Sequence, residues 1–330
     1  MKFQMTNFEL RSLRPLAGEG ESDPIRNSQF AIRNSSGFSL IEVMVAVALM
    51  SLIVIALMAV FSSTQKAFRA SVTQTDVLEG GRAAMELITQ DLRQMTPSGG
   101  ISNLSSGPVN SWGPVNFFSL DNNTYAVPSL AYSPLQQSLP GSGLLRNNFL
   151  NYFFLLGREN TKWIGIGYAV DSTNTTQLYP LYRFYAETNL ATPPRALFEN
   201  FRNAVFNGQW TNMSHVMDGV VHFVVRADDA NGYPMTNTYQ FNSGQWVTNR
   251  NVWFYPPLQV QGEVGFYFFS NTVPASVELE LGVLEDQPLQ HAGSLLTAVL
   301  RTQYLQQQSG RVHLFRQLVT IPNVDPTAYQ

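Results

Sequence analysis

The sequence predicts an α+β protein, with one long amino-terminal helix, transmembrane in its first part and amphipathic in its second, packed on a β-rich globular head. Three observations carry that expectation. Residues 38–61 form a nearly uninterrupted apolar run, and helix-compatible residues continue from there to Met95. Beyond Gly100, short β-branched and aromatic runs alternate with clusters of Asn, Ser, Thr, Gly and Pro, the pattern of strands and turns.

Composition narrows the functions available. Only 13% of the 330 residues are charged and 44% are hydrophobic, which excludes a disordered polyelectrolyte and fits contact with a membrane. A formal net charge of -3 gives no long-range attraction for a phosphate backbone, so no nucleic-acid partner is expected. The absence of cysteine removes disulfides, thiolate metal sites and CxxC redox chemistry.

The run FSLIEVMVAVALMSLIVIALMAVF decides the rest. As a helix it spans roughly 36 Å at about 1.5 Å per residue, enough to cross a hydrocarbon core of about 30 Å. Ser51 interrupts nothing, because a hydroxyl can bond back to a helical carbonyl. Glu42 is the anomaly. An ionised carboxylate deep in a membrane costs on the order of 2.5 kcal/mol or more, so Glu42 either lies among headgroups or acquires a cationic partner. An ordinary secretory signal fits this segment poorly, since the apolar run is too long, carries an acid and lacks a small-x-small cleavage site.

The residues Gly37-Phe38-Ser39-Leu40-Ile41-Glu42-Val43 closely resemble the processing site of type IV prepilins and type II secretion pseudopilins. The resemblance implies a pilin-like fold and a membrane prepilin peptidase that cuts between Gly37 and Phe38, with N-methylation of Phe38. It makes Glu42 the fifth residue of the mature chain, where the terminal ammonium of a neighbouring subunit neutralises it during assembly. Residues 1–37 then form a leader, longer than those common in the family, with Lys2, Arg11, Arg14, Arg26 and Arg33 set against Glu9, Glu19, Glu21 and Asp23. Arg26 and Arg33 lie nearest the span, which predicts a cytoplasmic leader, a single pass through the inner membrane and a periplasmic head.

Four segments follow from this reading: the leader at 1–37, the transmembrane and assembly helix at 38–61, its amphipathic continuation at 62–96, and a β-rich head with insertions at 97–330. In the continuation, Phe68, Val72, Met85, Ile88, Leu92 and Met95 fall mostly three or four residues apart. Gly80-Gly81 predicts a kink or loosened turn, at about 1 kcal/mol per glycine relative to alanine. The cluster Thr96-Pro97-Ser98-Gly99-Gly100 ends the helix. GGRAAMELITQDLRQM resembles the second part of that helix in the type II secretion minor pseudopilin J and the W-type minor pilins, with Arg82, Asp91, Leu92 and Arg93 matching. These residues read as a helix face covering a sheet, and no separate site is assigned to them.

Strands are expected at 164–170, 178–186, 220–227, 264–269, 276–284 and 312–321. In the fifth, Val277, Leu279, Leu281 and Val283 alternate with polar or small residues, predicting one packed and one wet face. The order of DGVVHFVVRADDANG, VPASVELELGVLED and HLFRQLVTIP again resembles the J and W-type heads. Residues 101–165 and 286–310 look like insertions occupying loops, the second with an amphipathic helix marked by Leu295, Leu296, Val299 and Tyr304. Asp228-Asp229-Ala230-Asn231-Gly232 reads as a turn, with a calcium loop as the sharper alternative.

Chemistry is sparse. His215, His222, His291 and His313 form no metal-binding spacing, so no metal and no cofactor are expected. GxSxG and GxxxxGK[ST] are absent, and Gly165-Ile166-Gly167 reads as strand glycine. Glu278 and Glu280 share a strand face and read as solvated. Trp112, Trp163, Trp210, Trp246 and Trp253 belong in core packing, or else line a glycan-binding groove.

The sequence therefore points to a non-catalytic minor pseudopilin in the tip or initiation complex of a type II secretion pseudopilus. Its partners would be the prepilin peptidase, other minor and major pseudopilins or pilins, and inner-membrane lipid, with no small-molecule substrate. The alternatives are a minor pilin of a type IV pilus, serving assembly priming, adhesion, motility or DNA uptake, and, in another class, a membrane-anchored glycan-binding protein.

Overall fold

The computed structural model describes residues 37–99, 113–121, 135–139, 141, 143–173, 178–229, 231–232, 235, 240–242, 245–247, 251–255 and 265–329. The expected leader, apart from Gly37, lies outside the described residues. The chain divides into two compact units, Met1–Phe61 and Ser62–Gln330. The fold is α+β, with a long apolar amino-terminal helix continuing into a segment packed on a β-rich head.

Helix α1 spans Leu40–Arg93. In the first unit every one of its residues is exposed, and the Ser51 hydroxyl donates to the Ala48 carbonyl at 2.8 Å, leaving the helix unbroken. In the second unit the buried face begins at Val77 and continues through Ala84, Met85, Ile88 and Leu92. Phe68 and Val72, expected on the same stripe, are exposed. At Gly80-Gly81, where a kink or loosened turn is expected, the helix runs on without a break. Gly81 serves packing instead: a Cβ there would stand 2.3 Å from the Phe315 ring, so only a glycine lets that ring reach the helix backbone.

The head is built from β1 (Val115–Asp121), β2 (Leu135–Ser138), β3 (Leu145–Asn148), β4 (Asn151–Glu159), β5 (Lys162–Val170), β6 (Leu181–Asn189), α2 (Arg195–Phe206), β7 (Ser214–Met217) and β8 (Val220–Asp228). It continues with β9 (Gln240–Asn242), β10 (Gln245–Val247), β11 (Val252–Tyr255), β12 (Gly265–Phe269), β13 (Ser276–Leu284), α3 (Asp286–Ser294), α4 (Ala298–Gln306) and β14 (Val312–Thr320). The main sheet has seven strands in the order β11-β12-β1-β4-β5-β6-β7, and a second has three in the order β14-β13-β8. Each pairing within them is antiparallel.

The two sheets and the buried face of α1 share one core, which includes Ile88 and Leu92 from the helix, Phe153 and Ile166 from the main sheet, and Val277 and Leu281 from the second. The other face of the main sheet packs under α2 through Phe154, Leu156, Leu197, Phe198 and Phe201. The described residues within 101–165 are therefore no loop insertion: they supply β1 and β4, strands inside the main sheet. Phe153-Phe154-Leu155-Leu156 is buried on both sides, so the strand carries no alternation by which to recognise it. Gly165 and Gly167 are strand residues of β5, and Phe201 lies so close that a Cβ on Gly167 would meet its ring at 2.4 Å.

Other boundaries shift for local reasons. The strand expected at 178–186 runs Leu181–Asn189, because Pro180 has no N–H for a ladder and its carbonyl instead accepts from the Asp171 amide at 3.0 Å. The single helix expected in 286–310 is two short ones, α3 and α4, joined at Leu295 and Leu296; Leu296 is fully exposed and Leu305 supplies the buried contact. At the expected turn, the Asp229 carboxylate accepts from the Asn231 amide at 2.8 Å, while Ala230 lies outside the described residues.

Candidate functional site

The amino end of α1 is a reciprocal cap. Ser39 precedes the first helical residue, and its hydroxyl oxygen accepts from the Glu42 amide at 3.3 Å. The Glu42 carboxylate reaches back, its Oε2 accepting from both the Ser39 amide and the Ser39 hydroxyl at 2.9 Å. Serine followed three residues later by glutamate is the capping-box pattern, which satisfies two amides at a helix start and sets a carboxylate against the positive end of the helix dipole. The sequence contains this signal, although its reading of Glu42 as an acid that lies among headgroups or acquires a cationic partner does not include the cap. Both of its Ser39 contacts use Oε2, so among the described residues Oε1 has no hydrogen-bond partner.

The cap fixes where the helix begins. Gly37, Phe38 and Ser39 are non-helical, Phe38 is 87% exposed, and nothing lies within 4 Å of where a Cβ on Gly37 would stand. The Gly37–Phe38 peptide bond thus sits in exposed, non-helical chain one residue before the cap, where a protease can reach it. Beyond it, Phe38, Glu42, Val43, Ala46, Val47 and Met50 line a shallow trough along the helix, with Glu42 the only acid among them.

Residues 32–62 match the family model for the prokaryotic N-terminal methylation motif. The chain is type IV prepilin-like. In this prepilin-like chain the motif implies processing by a prepilin peptidase and assembly with other pilins, and it indicates a structural, pilin-type protein. α1 is long and apolar enough to cross a membrane, compatible with a single-pass anchor. No curated protein and no solved structure matches the prepilin-like chain.

The remaining chemistry-bearing residues of the prepilin-like chain are held in the head. Trp163 is buried against α2, Trp253 packs beside Tyr267, and Trp210 stacks on Tyr182 with ring centroids 5.3 Å apart. Trp112 and the side chain of Trp246 lie outside the described residues. His215 contacts Asp218, His313 contacts Glu285, and His291 lies against Tyr304. Among the described residues no three of His, Asp and Glu gather as a metal-binding group.

Glu278 and Glu280 are not simply solvated, as the strand pattern suggested; they are half-buried in an ion network across the three-stranded sheet. Arg226 on β8 donates to Glu280 at 2.9 Å and to Glu278 at 3.3 Å, while Arg316 on β14 pairs with Glu278 from the other side. His222 accepts the Phe149 amide on Nδ1 at 3.2 Å, so its Nε2 carries the proton facing Glu280, 3.4 Å away. The His222 hydrogen bond and then Arg226, working against burial, hold the Glu280 carboxyl down at about 2. A carboxylate whose pKa is lower folded than unfolded adds stability that is present above its unfolded value and lost as pH falls through the folded one. The unfolding free energy of the head, measured by urea titration, is therefore expected to drop by about 2 kcal/mol between about pH 4.5 and 2, after allowance for solvent screening. Glu280→Gln should flatten that part of the profile, and an unchanged slope would show that Glu280 is not responsible.

Proposed function

We propose that the chain is a minor pseudopilin, a non-catalytic subunit of the tip or initiation complex of a type II secretion pseudopilus. The observation that carries this is the methylation-motif match at 32–62, which falls on an exposed Gly37–Phe38 bond beside a capped apolar helix. The prepilin peptidase hydrolyses that bond, leaving the leader with a Gly37 carboxylate and the mature chain with a free α-amine on Phe38, which is then methylated. The amine remains basic and carries a proton, so each cleavage creates one cation at the edge of the apolar helix. In the assembled fibre that ammonium meets Glu42 of the adjacent subunit at the carboxylate oxygen that Ser39 leaves open. The head, residues 97–330, faces the periplasm.

Intact-mass measurement of the protein made with and without a prepilin peptidase tests the processing step. Loss of residues 1–37 and gain of one methyl group on Phe38 are expected only when the peptidase is present. A mature chain beginning elsewhere, or retention of the leader in processing-competent cells, would overturn the assignment. Deleting the gene should block export of secreted proteins; intact export with loss of surface pili would move the protein to a type IV pilus.

A further inference from the structure

The strand that closes the second sheet leaves one side open. β14 pairs with β13 along its whole length, and among the described residues no strand lies on its other side. Long uncovered edges present unpaired amides and carbonyls that a further strand can use. Leu314 and Leu318 project outward from β14 at 50% and 62% exposure, with Arg316 between them. Those apolar side chains would gain cover from a neighbouring strand.

Beside this edge runs a groove of about 430 Å³, between residues 315–317 of β14 and the helix positions Arg82, Glu86, Thr89 and Arg93. These four recur at intervals of four, three and four residues, so they form one stripe along α1. Arg82 and Arg93 are exposed, and among the described residues neither has an ion-pair partner. They mark the two ends of the stripe, separated by roughly 16 Å at about 1.5 Å per residue. Between them Thr89 is 5% exposed, and its hydroxyl is buried with no hydrogen-bond partner. A buried, unpaired hydroxyl lining a groove is a place for an incoming polar group.

We propose that the β14 edge and this groove take up an extended segment of another polypeptide as an added strand, with acidic side chains reaching Arg82 and Arg93 and a small polar side chain between them reaching Thr89. The spacing is consistent: same-face residues i and i+4 of a strand lie about 13 Å apart, and the arginine side chains close the remaining distance. Backbone pairing along β14 supplies the attachment, and the charges select the partner. The proposal involves only the head and does not depend on the processing assignment.

The test uses the full chain in detergent micelles and a fluorescein-labelled, end-capped peptide of sequence Thr-Glu-Val-Ser-Val-Glu-Val-Thr, followed by fluorescence anisotropy. Saturable binding is expected, at least tenfold tighter than for the same peptide with lysine in place of both glutamates. The double variant R82E/R93E, altered only at exposed positions, should reverse that preference. Two further peptides, N-methylated on alternate backbone amides in opposite frames, should differ at least tenfold, because only one frame blocks the bonds to β14. No saturable binding, equal affinity for the acidic and basic peptides, or equal affinity for the two methylated frames would each overturn the proposal. Stable dimers of the chain that the peptide cannot displace would put a second copy on the edge and would overturn it as well.

Discussion

Replacing Glu42 by leucine is expected to leave membrane insertion and leader cleavage intact while lowering incorporation into the fibre at least tenfold. The magnitudes separate the two steps. On insertion scales leucine is more favourable than a carboxylate in a membrane helix by about 3 kcal/mol, so the variant should insert at least as well as the natural chain. Under the proposed assembly, what it loses is the anion that would receive a neighbour's ammonium. The structure adds a complication, because Glu42 also caps its own helix through Ser39. Glu42→Gln separates these roles: a glutamine at this position can still accept from Ser39, yet it carries no charge. If charge pairing drives assembly, Glu42→Gln fails as badly as Glu42→Leu, and Ser39→Ala, which costs about 1 kcal/mol of helix-start stability, assembles nearly normally. If Glu42→Gln assembles well and Ser39→Ala does not, capping is the function and the ion pair is not. Quantitative blotting of sheared fibres against total membrane protein reads all three.

The second large effect lies in the head. Asp91 on α1 is 3% exposed and receives Arg183 of β6 in a bidentate pair at 2.7 and 2.9 Å, while the Tyr168 hydroxyl of β5 donates to the same carboxylate. The Asp91 hydrogen bond pushes the Arg183 guanidinium above its ordinary value, and burial, followed by the neighbouring carboxylate, pushes the Tyr168 hydroxyl up. Arg183 therefore stays charged and Tyr168 stays protonated throughout the physiological range. Asp91→Ala would leave a partly buried cation and a fully buried hydroxyl without their acceptor, a loss of about 3 kcal/mol. That is a large share of the roughly 5–15 kcal/mol by which domains are ordinarily stable. The triple variant Asp91→Leu, Tyr168→Phe, Arg183→Met removes every polar member together and should recover most of the loss. Urea unfolding followed by tryptophan fluorescence measures both; an unchanged midpoint in Asp91→Ala would mean that the cluster does not hold the helix to the sheet.

Parts of this architecture can be read from the chain and parts cannot, for identifiable reasons. β13 spans Ser276–Leu284, the segment expected, because Val277, Leu279 and Leu281 are buried while the residues between them are not fully so. β4 escaped notice because both its faces are covered, which erases the period-two pattern on which strand reading depends. The processing segment is legible because its chemistry is contiguous, from Gly37 to Val43. Asp91 reads in the sequence as part of a helix face covering a sheet, and a further signal is present: it falls between Ile88 and Leu92 on the helix stripe that packs inward, where an acid requires a partner. That its partners are Tyr168 and Arg183 no local reading reveals, since they come from strands far along the chain. The same holds for Glu278 and Glu280, whose charges are matched by Arg226 and Arg316 from the strands on either side.

The meeting of Gly81 with Phe315 joins a helix made early to a strand made late, and Asn323 reinforces it by donating to the Met95 carbonyl at 3.1 Å. A polypeptide interrupted before residue 312 keeps the apolar flank of its helix but lacks the outer strand laid over it. Chains lacking β14 should accordingly remain open to proteolysis, so this late-made strand acts as a checkpoint on the folding of the head.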